Sequence, residues 1–387
     1  MAVSMDSVKS LVDAVHIKRL VAEELRRRVG EEGFKRASRD WHARRRPIPC
    51  GMTIHTGVGC SYGCLYCYIY DMGFTGKPQP YPLSGDELAL ALALNPYVAP
   101  GPKGTLLAFG SVTEPFMRET AWRAIEYLES TRRWLGNPQQ ISTKTALRGG
   151  LLERFIEAAD PRIDVLVSMT TLSRWKALEP GASPPEERIE FMGRLVEAGL
   201  SATLFLRPII PGVTDREAED ILSRAARAGV NKVVLGTLRV AEGILRRLRA
   251  SGAVEMGEIE RRLPRWPRKG EQLPIYSRDL KERIASKARE MGFKVLPASC
   301  SANVESHGQG CAACRLGPCG DLSKLPSAGE REVARLLEAL GLKPVKVSVR
   351  GHSVEAVLRG GRREAEIASY WIIGLLRRYP RVRTVRN

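Results

Sequence analysis

No run of eighteen apolar residues occurs in the 387-residue chain, so no membrane-spanning helix is expected. The opening segment MAVSMDSVKSLVDAVHIKRL is amphipathic, carries acids and lacks the apolar core of a secretion signal, so a cytoplasmic location is expected. Internal repeats and low-complexity segments are missing too. Acidic residues are in deficit. Asp and Glu number 43 against 61 Lys and Arg, giving a formal charge of +18 and a pI near 9.8. An excess of that size suits an anionic partner such as a nucleic acid. Asn and Gln are scarce and Arg abundant, as in hyperthermophile proteins, and lineage composition is the competing explanation. Hydrophobic residues at 43% and charged residues at 27% are the proportions of a globular chain. The length allows one large domain with appendages, or two to three domains.

Cysteine is absent from most of the sequence. The eight residues fall in two clusters plus Cys50, which in a reducing cytosol signals metal rather than disulfides. The first cluster, in GCSYGCLYCYIY (59–70), spaces Cys60, Cys64 and Cys67 as C-x3-C-x2-C. A tight loop running into a helix start brings three sulfurs so spaced to one place. No fourth cysteine follows within the next two hundred residues. A four-iron cluster normally takes one cysteine per iron, so three leave one iron open for chemistry. The alternative is a zinc knuckle with His55 as fourth ligand. His55 lies in the apolar run MTIHT, a strand pattern, which favours a flanking or barrel-interior place.

With Tyr66 before its last cysteine, this motif resembles that of the radical S-adenosylmethionine (radical SAM) superfamily. The resemblance implies a [4Fe-4S] cluster whose open iron binds S-adenosylmethionine. It also implies one-electron cleavage to a 5′-deoxyadenosyl radical that abstracts hydrogen from a substrate. An electron donor such as a ferredoxin or flavodoxin is implied as well.

The pattern along the chain points the same way. Residues 1–46 read as a helical extension, ended by Arg44, Arg45 and Arg46 and by Pro47 and Pro49. Strand candidates at 52–56, 105–110, 139–144, 164–170, 202–208 and 232–238 alternate with helix candidates at 84–94, 117–134, 147–158, 185–198 and 215–228. Ser84 and Asp215 read as helix N-caps, and Gly199 and Gly229 as helix-ending glycines. Such alternation predicts an α/β fold with a parallel sheet, a partial (β/α)6 barrel over residues 47–298. Residues 239–290 read as helical with a loop at 265–276, and 293–297 as a further short strand. In parallel barrels the site sits at the C-terminal strand ends, where the cysteine loop falls.

The other strand ends supply polar groups. After the second strand, Gly110, Ser111, Thr113 and Glu114 stand where radical SAM proteins receive the cofactor amino group, though GSVTEP departs from the usual Gly-Gly-Glu. Ser142 and Lys144 end the third strand and Ser168 the fourth; the hydroxyls suit ribose and the lysine a carboxylate. Arg207, read as buried, calls for a cofactor carboxylate, Glu114 or a substrate phosphate as partner. Helix capping and ordinary turns explain the same residues without a cofactor. LEPGASPPEER (178–188), STKT and PIIPG resemble the spore photoproduct lyase-like branch, and together these likenesses cover roughly residues 50–240.

Cys300, Cys311, Cys314 and Cys319, in a segment 299–322, form C-x10-C-x2-C-x4-C. This is a second metal site, an auxiliary iron–sulfur cluster or a structural zinc, with His307 a spectator. Cys50 reads as a small buried residue or a hydrogen-atom donor. The tail 323–387 reads as a small basic αββα domain, with 14 Lys and Arg against 6 Asp and Glu. Tyr370, Trp371 and Tyr379 accompany its arginines, a combination found on nucleic-acid surfaces and equally on a helix core with solvated cations. The expected activity is radical modification or repair of a nucleic acid. The alternatives are radical modification of a protein or peptide and a non-catalytic zinc-stapled nucleic-acid-binding protein.

Overall fold

The computed structural model describes residues 10–48 and 51–385; Cys50, and with it any role for that thiol, lies outside the described residues. Seven parallel strands form one sheet in chain order: β1 (Gly51–Ile54), β2 (Leu106–Phe109), β3 (Gln139–Thr143), β4 (Asp164–Met169), β5 (Ser201–Ile209), β6 (Lys232–Thr237) and β7 (Lys294–Leu296). β1 and β7 end the strand order, so the barrel is partial. The run 293–297, expected as a further short strand, docks beside β6 as the seventh.

The outer face of the sheet is covered by helices, so its strands read as continuous apolar runs. α1 (Leu11–Arg39) and α2 (Gly85–Leu94) pack together, with α3 (Ala121–Leu135) against the other side of α2. α2 is apolar nearly all round and buried, and its Ser84–Glu87 capping box closes its first turn. Glu87 also pairs with Arg36, which ties the N-terminal extension to the barrel. α4 (Gly149–Ala158), α5 (Pro185–Glu197) and α6 (Thr214–Arg227) complete the layer. Gly199 and Gly229, at φ 77° and 81°, follow α5 and α6 in the left-handed region that ends helices. Asp215 is not the N-cap of α6. That place belongs to Val213, and Asp215 instead accepts from the Gly212 amide at 2.6 Å.

The inner face follows the two-residue period of the strands. Leu166, Phe205, Val234 and Leu296 form an inner cluster closed by Ala302 of α9 (Ser299–Ser306), a helix that follows α7 (Glu242–Ser251) and α8 (Arg278–Glu290). Cys300 lies on α9. Cys311 and Cys319 oppose each other in a two-residue ladder, and Cys314 sits in the loop between them. Cys300, Cys311 and Cys319 share an apolar cluster with Leu106. Among the described residues, no three His, Cys, Asp or Glu side chains gather as around one metal ion, so no preformed zinc tetrahedron is present. The His307 ring contacts the Asn303 carbonyl at 2.9 Å, and among the described residues it belongs to no metal-ligating group.

The tail has one strand more than its sequence pattern showed. α10 (Glu330–Ala339), β8 (Lys343–Arg350), β9 (Ser353–Arg359) and α11 (Arg362–Trp371) are followed by a π turn and then by β10 (Tyr379–Val385), which pairs parallel to β9. Leu336, Trp371 and Leu375 dock on Ala14, Val15 and Ala99, so Trp371 is core. Among the described residues no helix is long and apolar enough to cross a membrane.

Candidate active site

The loop after β1 runs through turns into a short 3-10 helix at Tyr70–Met72, not into the α-helix start expected from the spacing. Distant residues fix its shape. The Arg247 side chain, on α7, donates to the carbonyls of Leu65 at 3.1 Å and Cys67 at 2.8 Å and pairs with Asp71 at 2.8 Å. The Leu65 amide donates to the Leu178 carbonyl at 3.0 Å, and the Tyr70 hydroxyl to the Cys60 carbonyl at 2.9 Å.

Cys60, Cys64 and Cys67 line one open cleft of about 520 Å³ at the C-terminal ends of the strands. That size suits a small-molecule cofactor. Tyr66, Gly110, Ser111, Thr113, Glu114, Ser142, Lys144, Ser168 and Arg207 line the same cleft. Residues two apart on successive strands, such as Gln140 with Ser142 and Leu166 with Ser168, face into it together.

The cysteines suit iron–sulfur ligation in their surroundings. The nearby backbone amides of Tyr62 and Glu114 favour the Cys60 thiolate, and that of Ile69 the Cys67 thiolate. Such amides hold and tune thiolates. Burial pushes all three thiols up, opposed by the Lys144 charge at Cys64 and Cys67. Iron binding must therefore displace protons and grows stronger as pH rises. The three sulfurs do not meet as around a single ion. A cluster takes one thiolate at each of three irons, so it needs no such convergence.

The rim groups differ in what they have left to offer. The turn after β2 needs Gly110: its φ is +89°, and a Cβ there would lie 2.5 Å from the Ser142 carbonyl oxygen. Thr113 donates to the Gly59 carbonyl at 2.5 Å, and the Tyr68 hydroxyl to the Ser111 carbonyl at 2.5 Å, so this turn braces the cysteine loop. Glu114 is buried. Its carboxylate accepts from the Thr143 hydroxyl, from the Thr145 hydroxyl at 3.1 Å and from the Lys144 amide at 2.9 Å. Burial raises its pKa against those hydrogen bonds. It is a brace between two strand ends, and it does not pair with Arg207.

Arg207 is exposed in the cleft rather than buried, because its stem lies along Gly236, whose missing side chain makes the room. Among the described residues neither Arg207 nor Lys144 has a side-chain ion pair; Lys144 stands 5.7 Å over the Tyr66 ring. The Tyr66 ring lines the cleft, but its hydroxyl is turned to Glu179 and, at 3.2 Å, Thr170. Glu179 pairs with Arg188 at 2.7 Å, with neither side chain exposed. Burial pushes Glu179 up, yet the Arg188 and Lys144 charges outweigh it and hold the carboxyl below its ordinary range. Arg188 also donates to the Ser168 carbonyl at 2.8 Å. The chain Tyr66–Glu179–Arg188–Ser168 thus joins the cysteine loop to the end of β4. Glu179 and Arg188 stand in the LEPGASPPEER segment, whose pattern marks a family likeness but not an ion pair, and no local pattern marks Arg247.

His55 is no ligand to the cysteines. Its ring packs on Trp41 at 4.6 Å and His42 at 5.5 Å, and burial lowers its pKa to about 4.

Residues 54–225 match the family model described as the radical SAM superfamily. An uncharacterized protein of Mycobacterium tuberculosis is 24% identical over 263 residues, 62% of this chain and 74% of its own length. An uncharacterized protein of the Acidianus two-tailed virus is 25% identical over 201 residues, 47% of this chain and 65% of its own. Among solved structures, a spore photoproduct lyase variant with bound AdoMet and dinucleoside spore photoproduct aligns with a TM-score of 0.52 at 16% identity, over 66% of this chain and 79% of that one. A second variant of that lyase gives 0.50 at 16% identity, over 65% and 78%. At such identity the likeness is one of fold. The family match runs from the end of β1 into α6, across the strand ends that carry the cleft, so residues 54–225 form a radical SAM domain.

Proposed function

We propose that the substrate is a nucleic acid, modified or repaired at this cleft. The observation behind the reading is the sign of the cleft wall: Lys144, Arg207 and Arg239 are its cations, and its acid among the described residues is the fully engaged Glu114. A wall of that sign favours phosphates and a carboxylate.

Cys60, Cys64 and Cys67 would hold the cluster. A cluster held there would supply one-electron reductive cleavage of S-adenosylmethionine, the chemistry that yields methionine and a hydrogen-abstracting 5′-deoxyadenosyl radical. Lys144 offers a charge to the methionine carboxylate. The Gly110 and Ser111 carbonyls each accept one hydroxyl and keep a second lone pair for an ammonium. The Ser168 and Ser142 hydroxyls suit the ribose. Thr113, Glu114 and the Tyr66 hydroxyl act on position instead, by holding the turns that present these groups. Arg207, exposed at the mouth, suits a substrate phosphate.

Cys300, Cys311, Cys314 and Cys319 remain proposed ligands of a second iron–sulfur centre, supported by their spacing and by Ser299, beside Cys300, lining the cleft. Iron analysis after anaerobic reconstitution separates the cases, at about four irons per chain for one cluster and about eight for two.

The substrate reading is tested by 5′-deoxyadenosine formation in reduced, reconstituted protein. Added tRNA or DNA is expected to raise it several-fold, and stimulation by peptides alone would overturn the reading.

A further inference from the structure

The tail sheet has two unlike faces. Val354, Ala356 and Leu358 of β9 are buried under the tail helices, with Val347 and Val382 beside them. Strand geometry sends their alternates to the other face. Register fixes which residues share it: Lys346 lies opposite Val357 and Arg383, Arg350 opposite Ser353 and Tyr379, and Lys343 opposite Arg359. These cations and Tyr379 are exposed. The same face carries a single acid, Glu355, which pairs with Arg381 at 3.2 Å. Nothing among the described residues covers this face.

We propose that this open sheet face docks the phosphate backbone of a nucleic acid. Exposed like charges on neighbouring strands repel one another, and six Lys and Arg against one acid on three short strands favour an anion that bridges them. Away from the bulge between Pro344 and Lys346, strand spacing of about 5 Å across and about 7 Å between alternate residues arrays the cations for a repeating polyanion rather than for one isolated ion. Tyr379 adds a ring on which a base can stack. Val357 is half-buried, and Val385, opposite Arg359, is exposed on the same face; two separated valines among six cations are less than the apolar patch a protein partner would desolvate. Contacts of this kind position a polymer without reading its sequence.

The inference deepens the nucleic-acid reading of the cleft, and the two fail separately. Binding through the sheet without nucleic-acid stimulation of S-adenosylmethionine cleavage would break that reading and leave this one standing.

The test is binding of a labelled oligonucleotide by the full chain across a salt series. The triple variant Lys346→Ala, Arg359→Ala, Arg383→Ala is compared with Lys103→Ala, Arg154→Ala, Arg289→Ala, three exposed cations elsewhere. Thermal unfolding of both variants should match the parent, since every replaced side chain is exposed. The sheet variant is expected to bind at least about ten-fold more weakly, with the slope of log K against log salt reduced by about 2–3 for three lost phosphate contacts. Equal losses in both variants would make the attraction diffuse and overturn the proposal, as would no loss in either. Loss confined to binding of anionic phospholipid vesicles, with oligonucleotide binding intact, would overturn it in favour of a membrane surface.

Discussion

Glu179 and Arg188 form a buried ion pair behind the cysteine loop, and the Tyr66 hydroxyl completes it. Breaking such a pair from one side leaves a buried charge uncompensated. Glu179→Gln is therefore expected to lower unfolding free energy by about 3–5 kcal/mol in chemical denaturation. Replacing both partners by methionine should recover much of that loss, because no charge then stays behind; a double variant as unstable as the single one would contradict this account. The residue types that line the cleft were legible in the sequence, since all nine rim candidates and the three cysteines face one cavity. Their hydrogen-bonding states were not. Whether Glu114 offers its carboxylate or uses it as a brace depends on Thr143 and Thr145, 29 and 31 residues further along the chain at the end of β3. Arg207 looked buried because it follows an apolar run, but Gly236 on the next strand gives its stem a surface groove.

At the scale of elements, the cysteine loop is shaped by partners far off in sequence. Its spacing allowed a helix start, yet turns prevail because Arg247 on α7 holds the Leu65 and Cys67 carbonyls. No local pattern marks an arginine that acts about 180 residues downstream. Outer groups of this kind tune metal affinity by about ten- to a hundred-fold. Arg247→Ala is expected to keep far-ultraviolet circular dichroism while iron per chain after desalting falls sharply. Full iron retention would show that the loop needs no clamp. The strands and helices of the barrel were legible because their apolar periods are strong and their ends carry capping residues and glycines. β10 was not, since of its inward positions Pro380, Val382 and Thr384 only Val382 is an apolar strand former, and it finds its place only beside β9.

Over the whole molecule, the N-terminal helix joins barrel and tail through a buried cation. Lys18 donates to the Val98 carbonyl at 2.6 Å and to that of Asn95, and stands 5.2 Å from the Trp371 ring. Burial lowers its pKa from 10.5 to about 7. The unfolded chain then binds more protons than the native one between those values, so this group makes stability rise with pH across that window and stay flat below it. Lys18→Met should flatten the slope, read as the difference between the two proteins so that cysteine and tyrosine titrations cancel. An unchanged difference from pH 7 to about 10 would contradict it. The central claim concerns the cleft itself. The most direct measurement is 5′-deoxyadenosine formed per chain by anaerobically reconstituted, chemically reduced protein, parent against the Cys60→Ala, Cys64→Ala, Cys67→Ala variant. Formation in the parent and none above background in the variant is the predicted result; equal formation in both would contradict the account.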